Sequence, residues 1–301
     1  MDPPNVLWFF GTFAIWFAVF YLLSRLPDSR SGLWVFLVAL GFFAAFALAS
    51  LWLFRGGWWI PGGLAVTVAV ATFPGVAVGF LDLIGVWPDD AALDPFADFN
   101  GYPFGVAVAT AIVGIVAYLV TRFPFIWFVV VSALLLASQL LVAAFEGSPS
   151  GEDRATAALV AGSLAVIVGV FLDAFGRRRG AFWFHALGWF SVAAGLAFFA
   201  ANPSGDRERG WVPILIVSLL MLIASGPIRR ATWAVYGVLG YYASIVHYLV
   251  DAFDEDGSPF ALMLLALGLS IFLQGMLLHR YGKAWGERFI RRPPPAVLPP
   301  H

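Results

Sequence analysis

The chain has 301 residues, 61% of them hydrophobic and only 12% charged, with a net charge of −1 at pH 7 and a mean hydropathy of +0.88. Soluble domains carry about 25% charged residues, so there is too little polar surface here for an ordinary water-soluble fold. No cysteine occurs, which removes disulfides, thiolate nucleophiles and Cys-ligated metals together.

A bilayer core about 30 Å thick takes roughly 17–25 helical residues per crossing. Ten apolar runs meet that need, at 6–24, 32–54, 62–87, 104–121, 124–145, 155–175, 181–201, 211–226, 231–250 and 260–282. Membrane strands would alternate apolar and polar over about ten residues, whereas these runs are apolar throughout. The expected fold class is therefore all-α. It is a polytopic membrane helical bundle of about ten transmembrane helices, one domain over 1–282, with a basic, Pro-rich cytoplasmic tail at 283–301. Before the first run the only charge is Asp2, and no Ala-x-Ala-like exit follows, so it reads as a retained helix rather than a cleaved signal.

Along the chain, the third run carries the first candidate chemistry. Pro74 and Gly75 lie near its middle; proline removes a backbone donor and crowds the carbonyl four residues back, on Val70. Asp82 follows two turns later on roughly the same face, with Leu83 to Trp87 still to come in the run. An ionisable residue inside a span is a site hypothesis by default. Pro74 and Asp82 thus form a candidate cation or proton site, against the plainer reading of a kinked helix packed through Gly75 and Gly79.

In the fifth run Gln139 is expected to join helices through its amide. Asp173 closes the sixth run beside Arg177 to Arg179, where a local ion pair explains it. His185 follows by two turns and is expected just inside the cytoplasmic interface. In the ninth run His247 and Asp251 stand four residues apart on one helix face, with Tyr248 beside them and Tyr241 and Tyr242 deeper. An imidazole with an ordinary pKa of about 6.5 beside a carboxylate can carry protons near neutrality; alternatively Asp251 caps the helix and His247 bonds to a neighbour. Gln274, His279 and Arg280 fall in the tenth run, and Lys283 to Arg292 read as a basic amphipathic stretch on anionic lipid.

Charge orients the bundle. With ten spans, both termini share a side with the loops after spans two, four, six and eight; that side holds twelve of the 17 basic residues, from Arg55 to Arg292. The other side holds Arg25, Arg30, Arg154, Arg207 and Arg209, together with the acidic Asp89, Asp90, Asp94 and Asp98 and the Asp254 to Asp256 group. Lys and Arg near short loops mark the cytoplasm, so both termini are expected inside. Trp34, Trp87, Trp127, Trp183 and Trp211 sit near span ends as an interfacial belt would. Sixteen Arg against one Lys, in a chain rich in Ala and Gly, points to a high-GC bacterial genome and so to a bacterial inner membrane.

An internal repeat is expected. Phe80-Leu81-Asp82, Phe171-Leu172-Asp173 and Tyr248-Leu249-Val250-Asp251 close the third, sixth and ninth runs. Spans 2–4, 5–7 and 8–10 (32–121, 124–201 and 211–282) then form three copies of a three-helix unit, with the first span added. An odd number of crossings inverts successive copies, and inverted repeats recur in transporters. In length, helix count and orientation the chain also resembles the drug/metabolite transporter superfamily. That resemblance implies a different plan, a pair of inverted five-helix units.

No Gly-x-Ser-x-Gly, His-Glu-x-x-His or Gly-x-x-x-x-Gly-Lys-Ser/Thr motif occurs. No catalytic residue, metal ligand set or cofactor is therefore named, and nucleic acid is excluded on location and charge. The function expected is an integral membrane transporter of a small solute or ion, proton-coupled if the His247–Asp251 pair serves it. Its substrate or ion pathway is drawn from Asp82, Pro74, His247, Asp251 and Tyr248. Two alternatives stand beside it: a non-catalytic subunit of a membrane complex, and an intramembrane lipid-modifying enzyme. The expected partners are the lipid bilayer and membrane proteins or further copies of the chain.

Overall fold

The computed structural model describes residues 3–24, 32–87, 99–201, 208–228 and 230–252, then 261–262, 265–266, 268–270, 272–273, 275–277 and 280; the side chains of 3–7, 23–24, 208–209 and 251–252 are not among those described. Among these residues no strand occurs. The helices are α1 (Pro3–Ser24), α2 (Gly32–Arg55), α3 (Trp59–Leu83), α4 (Gly101–Thr121), α5 (Ile126–Glu146), α6 (Gly151–Ala174), α7 (Arg178–Ala201), α8 (Glu208–Ile228) and α9 (Ala231–Ala252). Helical residues between 261 and 280 fall within the tenth predicted span. The acidic segments around Asp89 to Asp98 and Asp254 to Asp256, with Gln274, His279 and the 283–301 tail, lie outside the described residues.

At 1.5 Å per residue a helix of 21 residues is about 31 Å long, the thickness of a bilayer's hydrocarbon core; α4, α5 and α8 have that length. Among the described residues eight helices, α2 to α9, are long and apolar enough to cross a membrane. Their outward faces carry large apolar side chains: Trp52 is 74% exposed and Phe145 78%. Water does not tolerate contiguous surface of this kind, whereas lipid does. The chain is a multi-pass helical membrane protein in contact with the bilayer.

The chain falls into two compact units, residues 1–191 and 192–301. In the first, glycines bring helices into backbone contact. A Cβ at Gly79 would stand 2.7 Å from the Cα of Phe36, so α3 and α2 touch directly there. Gly114 of α4 opens room for Val130 of α5, which is fully buried with Ile126 among Ala111 and Ala133. Gly188 of α7 rests against the Gly162 carbonyl of α6, and Ser191 Oγ donates to the Ala158 carbonyl at 2.9 Å. Gln139 Nε2 reaches the Arg154 carbonyl at 3.4 Å, a link from α5 to α6 of the expected kind. In the second unit Gly237 and Gly240 of α9 pack on Ser218 and Leu222 of α8. Lipid tails are as apolar as leucine, so association in a membrane rests on such close packing and on interhelical hydrogen bonds.

Most predicted boundaries shift by a few residues, α6 for example starting at Gly151 rather than 155, and two bear on the site and the second unit. The third span ends at Leu83 rather than 87. Gly85 takes a left-handed φ of +71°, and the Ile84, Gly85 and Val86 N–H groups turn back to the Phe80, Asp82 and Leu81 carbonyls at 3.2, 2.9 and 3.0 Å. That closure is a glycine-based helix stop. Asp82 consequently stands in the last turn of α3, with one residue after it instead of five. The eighth helix begins at Glu208 rather than 211, taking in Glu208 and Arg209 that an apolar count leaves out, and runs through Pro227 to Ile228 rather than 226.

Candidate functional site

Helices of the first unit line an open-sided cavity of about 690 Å³. Trp16, Val19 and Phe20 of α1 form one wall, and Ala71, Thr72, Pro74, Gly75 and Val78 of α3 another. Val106, Ala107 and Thr110 face them from α4, and α5 contributes one stripe from Phe128 through Ser132, Ala133 and Leu136 to Leu140. Val35, Trp87 and Pro103 stand at the end where α3 finishes and α2 and α4 begin. A second hollow of about 20 Å³ near Thr67 and Phe125 shares Trp16, Ala71, Phe128 and Val129 with the first.

The local sequence explains the space. Ala71, Gly75, Ala107 and Ala133 present little or no side chain where four helices meet. Pro74 interrupts the α3 hydrogen-bond ladder on the same face. Two of the three hydroxyls in the wall are directed to their own backbone: Thr72 Oγ1 donates to the Ala69 carbonyl at 2.8 Å and Thr110 Oγ1 to that of Val106 at 2.7 Å. With Ser132 as the third, the wall is largely apolar. From Phe128 to Leu140 it follows twelve residues of α5, about 18 Å at 1.5 Å per residue.

Of the predicted site residues, Pro74 lines this cavity. Asp82 is exposed, its side chain against Gly32 at the start of α2. It lies one turn beyond Val78 on the same helix face, beside the cavity end that carries Trp87. The Trp87 N–H donates to the Leu81 carbonyl at 3.2 Å, which folds the chain back onto the last turn of α3. His247 and Tyr248 belong to the second unit. The His247 ring is stacked on Trp211 of α8 with centroids 4.3 Å apart and planes 10° from parallel, and Tyr248 meets it edge-on at 5.3 Å. The Asp251 side chain lies outside the described residues.

The buried polar contact of the first unit joins two other residues. His185 of α7 is fully buried, and its Nε2–H donates to Asp173 Oδ2 of α6 at 3.0 Å. The burial places the ring between α6 and α7. Gly169, one turn before Asp173, makes the room: a Cβ there would fall 3.0–3.1 Å from three ring atoms. The signal available in the sequence was the small-residue series Gly162 and Gly169 facing Gly188 across a short turn, which brings α6 and α7 close enough for the pair. Among the described residues no group of three or more His, Asp and Glu gathers as a metal would require. Comparison with protein-family models, with curated proteins and with solved structures finds no match to this chain.

Proposed function

We propose that the protein is a membrane transporter that binds a small apolar or amphiphilic solute in the α1–α5 cavity. The observation that carries this reading is the cavity itself. Its volume of about 690 Å³ lies within the roughly 300–1,000 Å³ of small-molecule sites, and Pro74 of α3, which withholds one backbone donor from a continuous helix, lies in its wall. An unsolvated ion would find only the hydroxyls of Thr72, Thr110 and Ser132 in this wall, so the cavity favours a solute that needs few polar partners over the small-ion alternative. Proton coupling through His247, Tyr248 and Asp251 rests on their spacing; the Trp211 stack gives His247 a packing role as well.

Inverted repeats belong to the same proposal. Phe80-Leu81-Asp82-Leu83-Ile84-Gly85 and Phe171-Leu172-Asp173-Ala174-Phe175-Gly176 end α3 and α6 with the same bonds. Phe175, Gly176 and Arg177 N–H groups return to the Phe171, Asp173 and Leu172 carbonyls at 3.0, 3.0 and 2.8 Å, and Gly176 has φ +76° against +71° at Gly85. This supports the equivalence of the third and sixth spans, whose ends an odd separation of three alternating crossings would place on opposite faces. With both termini cytoplasmic in the bacterial inner membrane, single cysteines at Asp94 and Arg178 label from opposite sides, and only position 94 reacts with an impermeant reagent on intact cells.

Transport itself is tested in liposomes containing the purified protein. Flux of a panel of apolar amines, alcohols and acids is compared between the native chain and Ser132→Phe, which places a ring in the cavity. Flux of at least one solute that Ser132→Phe abolishes supports the reading; identical flux with and without the ring for every solute moved contradicts it.

A further inference from the structure

The cavity has a direction. Its far end, around Phe128 and Val129, is apolar on all sides, while the other end reaches Trp87, Pro103 and Val35, where α3 finishes and α2 and α4 begin. Between these ends it runs about 18 Å along α5, slightly more than half of a hydrocarbon core about 30 Å thick. One leaflet's worth of hydrocarbon chain has that length. The Trp87 end also holds the one charge near the cavity among the described residues of α3. Asp82 lies one turn past Val78 on the lining face, exposed, its side chain on Gly32. One turn past Gly32 on α2 is Val35, which lines the cavity.

We infer that this cavity takes an amphiphile with a single hydrocarbon chain and an ammonium head, the chain along α5 and the head between Asp82 and Trp87. Resting on the binding site proposed above, this names its ligand class. An ammonium group satisfies both features of the mouth. A carboxylate attracts it by charge, and an indole face attracts it through the ring quadrupole. An anionic head of the same chain length meets the Asp82 carboxylate as a like charge, and an uncharged alcohol gains only a hydrogen bond. The wall hydroxyls of Thr72 and Thr110 are engaged by their own helices, so apart from Ser132 the chain meets apolar side chains.

The test uses the full chain in phosphatidylcholine vesicles, with single-chain probes that carry a diazirine midway along the chain. Three probes share the chain and differ in the head: a primary amine, a carboxylic acid and an alcohol. A fourth, phosphatidylethanolamine with the same labelled chain, separates a bilayer lipid from a free amine as the source of the ammonium. After photolysis, label on cavity peptides containing Ala107 and Ser132 is measured against label on the outward-facing Trp52 peptide of the same sample. The expected result is about tenfold more cavity label from the amine than from the acid, the size of a 1.4 kcal/mol preference. Asp82→Asn removes most of that preference, and Ser132→Phe removes the cavity label from every probe. Val129→Phe is the second plug should Ser132→Phe fail to fold. Equal cavity label from amine and acid, or a preference untouched by Asp82→Asn, overturns the head assignment; label that survives both plugs overturns the chain assignment. Cavity labelling of this pattern without flux leaves the inference standing and removes the transport reading. Flux of the amine with label confined to the outer surface does the reverse.

Discussion

Asp82 and Asp173 occupy the same place in the same helix ending and meet opposite surroundings. Each follows Phe-Leu and precedes two residues and a left-handed glycine, and the backbone bonds that close the two helices agree. Asp82 is exposed against Gly32, whereas Asp173 holds the imidazole of fully buried His185 at 3.0 Å. The local motif decides how the chain stops, and the neighbouring helix decides what the carboxylate does. Beside α3, the first helix surface met is that of α2, which offers a glycine. Beside α6, a three-residue turn returns α7 at once, with a histidine placed to reach back toward the turn.

The largest test of this contrast removes each carboxylate. Asp173→Ala leaves a buried ring nitrogen without its acceptor, which costs about 1–3 kcal/mol. Asp82→Ala, at an exposed position, stays within about 0.5 kcal/mol. Denaturant unfolding in detergent checks both, and equal losses would break the comparison. The shared part of the motif is tested next, by Gly85→Ala and Gly176→Ala. Each forces a side chain into a left-handed conformation at about 1–2 kcal/mol, and the two losses agree if the stops are alike. A clear inequality would mean that tertiary contacts, not the cap, hold one of them. The smallest effect belongs to Ser191→Ala. It deletes the hydroxyl bond to the Ala158 carbonyl at 2.9 Å and costs about 0.6 kcal/mol, the mean for such bonds between membrane helices. A loss as large as that of Asp173→Ala would move the anchor of the α6–α7 pair away from His185.

The helices were legible because run length and apolarity are properties of contiguous sequence. Several starts were not, because caps set them three or four residues before the apolar runs at 104 and 155 begin. Ser150 and Asp153 cap each other at the head of α6, and Asn100 caps α4 through the Tyr102 N–H. At α3 the apolar run outlasted the helix, and Gly85 rather than hydropathy set the end. The His185–Asp173 pair was hidden because its partners are twelve positions apart and meet only across a turn. His247, by contrast, drew attention through an i,i+4 spacing on one helix, and in the fold its ring lies flat on Trp211 of the next helix. Pro74 was legible as a missing backbone donor inside a helix that nonetheless continues to Leu83. The cavity it borders was not, since a cavity is the absence of side chains where several helices meet, and no single segment records that.

Occupancy of the α1–α5 cavity is the central claim, and native mass spectrometry of the purified protein released from detergent reads it directly. The account predicts one retained amphiphile per chain in the native protein and none in Ser132→Phe, with the folded mass otherwise unchanged. The same set of bound masses in both proteins would contradict it.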